Sequence, residues 1–268
     1  MTEQKPQSKN AGPADNATEF NRDAWEKIAE QGDRLFHVAS SEQIEAARSG
    51  MLDIKLTPTK KVPSEWLSPI NGLDVLCLAG GGGLQGPILA AAGANVTVTD
   101  ISHSQLERDD EVARRENLVI TTVAADMCTL EPFADESFDL IINPTAICYV
   151  PDPTPVWNSC HRVLRKEGTL ISGNMNPVNF LFDIFQRDRG LLEVANRIPY
   201  CDLNLPEEQQ ERVLAADRPV EFSHTLTSLI GGQINAGFRI TGFYEDRWGG
   251  KDCVSDLIDV FFVTRSGK

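Results

Sequence analysis

The chain has 268 residues, 41% of them hydrophobic and 24% charged, which is enough apolar content for one large core or two small ones. Its formal net charge of −14, with no basic cluster longer than Lys60 and Lys61, repels phosphate backbones and argues against nucleic acid as a partner. No apolar run approaches the roughly 20 residues needed to cross a bilayer, and the opening MTEQKPQSKN holds no apolar signal region, so a cytoplasmic protein with no membrane partner is expected.

Residues 1–17 are polar, contain Pro6, Gly12 and Pro13, and show no periodicity, so they read as a flexible tail. From Thr18 to Ala29, Phe20, Ala24, Trp25 and Ile28 recur at helical spacing and Gly32 follows as a stop. Ser40 and Gln43 have capping-box spacing and open a second helix that ends near Gly50. Residues 18–70 therefore form a helical cap ahead of the first strong strand.

Strand and helix then alternate. Residues 73–79 and 95–100 read as strands flanking a helix over 84–92 that Gly93 closes, and Ser104 with Glu107 marks the start of a helix reaching Glu116. Residues 118–123, 138–143 and 169–173 supply three more strands, with a helix over 155–165 capped by Thr154, begun by Pro155 and followed by Gly168. Strands apolar on both faces and joined through helices imply a parallel sheet covered on both sides, here over residues 71–173. Residues 174–219 break the rhythm with Pro177, Pro199, Pro206, several aromatics and a polar helix over 207–216, which reads as an insertion above the sheet. Residues 220–268 add a helix over 226–236 and two strands, 238–245 and 259–265, close enough to pair antiparallel.

The six cysteines (77, 128, 148, 160, 201 and 253) include no pair at the two-residue spacing of a zinc or redox motif, and His37, His103, His161 and His224 are isolated, so no metal site is implied. The strongest chemical signal is VLCLAGGGG, residues 75–83, where a strand ends and a helix begins. Consecutive glycines let the backbone turn sharply and approach a ligand, and helix N–H groups are expected to face the same point. Asp100 ends the next strand, 19 residues after Gly81, where a carboxylate can accept from both hydroxyls of a ribose. Gly81, Gly83 and Gly86 also satisfy the G-x-G-x-x-G spacing of dinucleotide-binding oxidoreductases.

VLCLAGGGG, VTVTDIS, AADM, SFDLIINP and CHRVLRKEGTLIS stand in the order and at the intervals of class I S-adenosylmethionine (SAM) dependent methyltransferases, which the chain resembles from Phe20 to its C-terminus. The resemblance implies a Rossmann-like, doubly wound α/β fold: a seven-stranded mixed sheet with the last strand antiparallel, an N-terminal helical cap and an insertion after the fifth strand. It implies SAM as cofactor, S-adenosylhomocysteine (SAH) as product, no metal, and a small-molecule methyl acceptor, and it leaves the oligomeric state open. Carried over by position, Ala79, Gly80, Gly81, Gly82 and Gly83 face the methionine part of SAM, Asp100 the ribose, and Asp126 the adenine amine, with Ile101 and Met127 on the two faces of the ring. Ser102, Gln105, Ala125, Asn143 and Pro144 complete that site. Two departures stand out: Cys77 occupies the place of the family's acidic residue, and Ala79 that of its first glycine. With no carboxylate at 77, water or backbone groups are expected to organise the loop.

The acceptor is expected beneath a roof made by the N-terminal helices and the 174–219 insertion, with Trp25, Phe180 and Tyr200 as lining candidates and His224, Tyr200 and Asn143 as candidate catalytic groups. His161, on an apolar helix face, reads as structural. Two other readings compete. A nicotinamide-dependent oxidoreductase explains the glycine loop and Asp100, but not the preceding helices or the helix-strand-strand ending. A non-catalytic SAM-binding protein is favoured only by the changes at 77 and 79.

Overall fold

The computed structural model describes residues 17–30, 37–67, 69–215 and 218–268. The expected tail, residues 1–17, lies outside the described residues except for Ala17, which opens helix α1 (Ala17–Glu30). Helix α2 (Ser41–Arg48) follows, with the Ser40–Gln43 capping box formed in both directions, and then a short α3 (Ser64–Leu67).

The core alternates β1 (Asp74–Leu78), α4 (Gln85–Ala91), β2 (Asn95–Asp100), α5 (His103–Glu116), β3 (Ile120–Ala124), β4 (Phe138–Asn143), α6 (Thr154–Val163) and β5 (Leu164–Met175). After β5 come two short helices, α7 (Ile184–Arg187) and α8 (Glu207–Ala215), then a π-helical turn (Thr227–Gly231) that runs into α9 (Gly232–Asn235). Strands β6 (Arg239–Asp246) and β7 (Phe261–Gly267) close the chain.

The seven strands form one sheet in the order β3-β2-β1-β4-β5-β7-β6, and β7 runs antiparallel to both neighbours. This is the Rossmann-like mixed sheet implied by the motifs. Its two faces carry separate cores. Val75, Cys77, Val96, Val98 and Ile142 face α2, α4 and α5, whereas Leu76, Leu78, Ile141 and Phe262 pack with Trp157 of α6 and Leu229 of the π-helical turn. Strands with buried side chains on both faces are continuous apolar runs, which is why the sequence pattern exposed them.

Three boundaries depart from expectation. The cap of α5 is Ser102, whose extended backbone lets its hydroxyl accept from Gln105 N at 3.1 Å; Ser104 sits inside the first turn. Helix α6 stops at Val163 because the chain enters β5 at Leu164, four residues before Gly168. The helix expected over 226–236 opens with a π-helical turn. Asp246, part of an acidic run, is fully buried, and its carboxylate accepts from Thr59 N and Lys60 N, both at 2.9 Å, so it anchors the segment between α2 and α3.

Candidate functional site

Reversal of strand order between β1 and β4 opens a crevice at the carboxyl ends of the strands, where open α/β sheets place their ligands. The glycine loop lies at its edge. Ala79 has φ +46°, keeping the left-handed turn that glycine adopts without strain; Gly82 and Gly83 follow at +122° and +75°. A Cβ on Gly81 would stand 2.8 Å from Gln105 Cβ and 3.0 Å from Asp100 Oδ2, so β2 and α5 press directly against the loop.

The four glycine N–H groups all point into the protein. Gly80 N donates to Thr99 O at 3.2 Å and Gly81 N to Asp100 Oδ2 at 3.1 Å. Gly82 N reaches Gln105 O at 3.0 Å and Asp109 Oδ2 at 2.9 Å, and Gly83 N reaches the same Asp109 oxygen at 3.0 Å. Sequence reasoning missed Asp109, although it lies within the stripe Gln105, Leu106, Asp109, Val112 and Ala113 that α5 buries. An acid within the buried stripe of a helix was the available signal. Where water or backbone groups were expected to organise the loop, the Asp109 carboxylate accepts from two of its N–H groups.

A cavity of about 220 Å³ runs past the loop, lined by Gly80, Gly81 and Gly82 on one side and Ile101, Ala125, Asp126 and Met127 on the other. Asp100 reaches it from the end of β2, its second oxygen held by Ser102 N at 3.0 Å; burial pushes its carboxyl up to about 6 despite these bonds. Asp126 turns one carboxylate oxygen back to Cys128 N at 2.8 Å, which fixes its side chain at the cavity mouth.

Helix α1 roofs the cavity with Thr18, Asn21 and Trp25. Two polar anchors hold it. Asn21, 1% exposed, donates to Tyr149 O and Val220 O at 3.1 and 3.0 Å and accepts from Val220 N at 2.7 Å. Glu26 accepts from His103 N and Ser104 N at 2.7 and 3.0 Å, capping the start of α5 from another helix. Trp25 meets Tyr149 edge-on at 5.2 Å, and Thr145, Ala146, Val150 and His37 extend the same wall.

Residues 76–172 match the family model described as a methyltransferase domain. An uncharacterised methyltransferase of Bacillus subtilis (strain 168), YbaJ, is 46% identical over 249 residues, which cover 92% of this chain and 97% of that one. The chain belongs to the SAM-dependent methyltransferases. A ubiquinone biosynthesis O-methyltransferase of Pseudomonas aeruginosa (strain UCBPP-PA14) is 34% identical over 122 residues, 43% of this chain and half of that one. Among solved structures, a SAM-dependent methyltransferase from Mesorhizobium loti aligns with a TM-score of 0.60 at 20% identity, covering 76% of this chain and 94% of that one. The Burkholderia thailandensis 1,6-didemethyltoxoflavin-N1-methyltransferase, with its acceptor and SAH bound, aligns with a TM-score of 0.60 at 13% identity over 98% of this chain and 93% of that one. At these identities the two structures speak for the fold alone.

The loop fits the methyltransferase cofactor better than a dinucleotide. A pyrophosphate needs backbone N–H donors, and here those of Gly80, Gly81, Gly82 and Gly83 are already bonded within the protein, while α4 has Pro87, which lacks one, in its first turn. Among the described residues no cluster of His, Cys, Asp and Glu could hold a metal ion, and no helix is long and apolar enough to cross a membrane.

Several expected site residues of the methyltransferase lie elsewhere. Gly83 and Ser102 support the site from beneath, through Asp109 and the α5 cap. Asn143, fully buried in β4, donates to Ser172 Oγ at 3.1 Å and is not on the cavity wall, although the next residue, Pro144, is. His224 is 7% exposed with Nε2 3.0 Å from Ile147 O, and burial lowers its pKa, so it braces the chain rather than facing an acceptor. Tyr200 donates to Asp202 Oδ1 at 2.6 Å, and burial beside that carboxylate raises its pKa; with Phe180 it lines a separate small cavity inside the insertion. Among the described residues, none of the 174–219 insertion lines the cofactor crevice. Its Cys201 and Leu203 support the roof from behind, packing together with Val220 and Phe222 of the following segment against Ala17 and Phe20 of α1. His161 is structural, its ring edge-on to Phe238 at 5.2 Å.

Proposed function

We propose that the enzyme methylates an uncharged small molecule at a hydroxyl or ring nitrogen, with the acceptor held beneath α1. The observation that carries this reading is the continuity of the cavity. It passes from the glycine loop, Asp100 and Asp126 to a wall of Trp25, Pro144, Ala146, Tyr149 and Val150, which offers aromatic and aliphatic surface with neutral polar groups at Thr18 and Thr145.

SAM, when bound, supplies a methyl group already activated on a sulfonium, so the protein's task is alignment and exclusion of water, and orientation alone is worth roughly 7–11 kcal/mol. In this assignment Asp100 accepts from the ribose hydroxyls, Asp126 from the adenine amine, and Ile101 and Met127 flank the ring. Gly80, Gly81 and Gly82, with Ala79, Gln105 and Ala125, shape the wall for the methionyl arm. Helix α1, pinned by Asn21 and Glu26, keeps bulk water from the acceptor. His37 supports a general-base role for this chain better than Tyr200 or His224: it stands on the cavity wall, and the bond from Ala39 N to Gly83 O at 2.7 Å ties its segment to the glycine loop. It would accept the proton of the acceptor hydroxyl or nitrogen as the methyl is transferred.

The test is methyl transfer from radiolabelled SAM to a panel of phenols, N-heterocycles, carboxylic acids and amines, with His37→Ala alongside. The proposal expects product from the first two classes, and a His37→Ala enzyme with lowered kcat and unaltered SAH affinity. Labelling confined to charged acceptors would overturn it.

A further inference from the structure

Three features of this chain look unrelated in sequence: Cys77 in place of the family's acid, an acidic residue inside the buried stripe of α5, and Gly86 completing a dinucleotide-like spacing in a methyltransferase. They meet at one point. Asp109 is 0% exposed, and its Oδ2 accepts from both Gly82 N and Gly83 N, at 2.9 and 3.0 Å. Its Oδ1 has no hydrogen-bond partner among the described residues. A Cβ on Gly86 would stand 3.0 Å from that oxygen and 2.6 Å from Val98 Cγ2, so glycine is required there to leave room for the carboxylate and β2. Cys77, wholly buried at the end of β1, is close enough for the Asp109 charge to act with burial in raising its thiol pKa.

We propose that Asp109 is the positioning residue that replaces the missing acid of the first motif: its carboxylate, delivered from α5 instead of β1, holds the glycine loop in its cofactor-binding shape and, ionised when the cationic methionyl arm of SAM is bound, places a negative charge behind that part of the site. Two backbone donors fixed by left-handed glycines suit a single carboxylate oxygen, and bonds to a charged acceptor are about twice as strong as those to a neutral one. Gly86 then serves the packing of this carboxylate and not a pyrophosphate. The inference rests on the assignment of the loop to SAM, and the experiment separates the two.

SAH affinity is measured by calorimetry for the wild type, Asp109→Asn, Cys77→Asp and the double variant Cys77→Asp/Asp109→Asn, with melting curves to confirm folding. Asp109→Asn should weaken SAH about ten- to a hundredfold. Cys77→Asp alone, which sets two carboxylates under one loop, should also bind worse than wild type, whereas the double variant, with the acid moved back to β1, should recover most of the affinity. Every variant is also titrated with 5′-methylthioadenosine, which lacks the amino-acid arm; Asp109→Asn should retain that affinity within about threefold, and this readout stands even if the variants at 77 do not fold. Equal losses for both ligands, or an Asp109→Asn protein that binds SAH as well as wild type, would overturn the proposal. A wild-type protein that does not bind SAH at all would instead overturn the assignment of the loop.

Discussion

Removing the Asn21 side chain should release the roof of the active site without unfolding the enzyme. Asn21→Ala deletes three hydrogen bonds to backbone groups of Tyr149 and Val220 and leaves those groups without their partner in a site where Val220 is 0% exposed. At about 1 kcal/mol per bond the loss is roughly 3 kcal/mol, or about two orders of magnitude in an opening equilibrium. Helix α1 contacts the rest of the protein through a limited set of groups, chiefly Glu26 on α5, the Trp25–Tyr149 pair and the Ala17–Phe20 patch on Val220 and Phe222. The penalty should therefore appear as local opening of α1 and not as loss of the whole fold. Hydrogen exchange followed by mass spectrometry is the assay. Peptides within 17–30 should lose up to about a hundredfold in protection while those of β1 and β4 stay protected, and SAH should dissociate faster. Asn21→Asp, which keeps an acceptor for Val220 N but turns a carboxylate toward two carbonyls, should be at least as damaging. Unchanged protection of α1 in Asn21→Ala, or an equal loss across the sheet, would refute the reasoning.

Gly81→Ala should abolish detectable SAH binding with only a modest fall in melting temperature, because the new methyl meets Gln105 Cβ and the Asp100 carboxylate at the ligand-facing edge of the core; calorimetry beside a melting curve checks both halves. The cofactor-free enzyme should also lose stability as pH rises from about 4 to 7. Burial pushes Asp109 up to about 7, with the Asp100 and Asp110 carboxylates adding to the shift, and pushes Asp100 up to about 6. A carboxyl whose folded pKa is raised favours folding below its unfolded pKa, and that contribution is lost as pH climbs through the folded value, here up to about 4 kcal/mol for Asp109. Glu221, pushed by burial to about 7, adds to the same slope, while Asp246, held near 2 by its bonds to Thr59 and Lys60 against the effect of burial, is constant over most of this window. Asp109→Asn should flatten the melting temperature against pH, and an unchanged slope would show that the carboxyl is not neutralised in the fold.

Much of the fold was legible because its signals are local. Apolar runs such as 73–79, bounded by Gly72 and Gly80, and 138–143, ended by Pro144, define strands buried on both faces, and the reversed final strand follows from the closeness of the last two runs. The misread features were decided by distant partners. Ser102 and Ser104 are both reasonable caps for α5, and part of the choice lies with Glu26, 77 and 78 residues earlier in the chain, which takes the N–H groups of His103 and Ser104. Aromatic residues of the insertion look alike whether they line a substrate pocket or prop a helix, and Phe180 and Tyr200 meet each other at 5.4 Å with their rings tilted by 30°, away from the crevice. His37 carried no motif and gained its position only when Ala39 bonded to Gly83. The glycine loop joins β1 to α4, as the strand-to-helix pattern implied, yet the direction of its N–H groups could not be read from spacing, because that direction depends on Asp109 one helix later.

The most direct test of the account is calorimetric titration of the purified protein with SAH and with NADH, wild type beside Asp100→Ala. Binding of SAH that is lost in Asp100→Ala, with no heat from NADH, is the result predicted by a loop whose N–H groups are already taken and a carboxylate that faces a ribose. Binding of NADH, or SAH binding indifferent to Asp100, would contradict it.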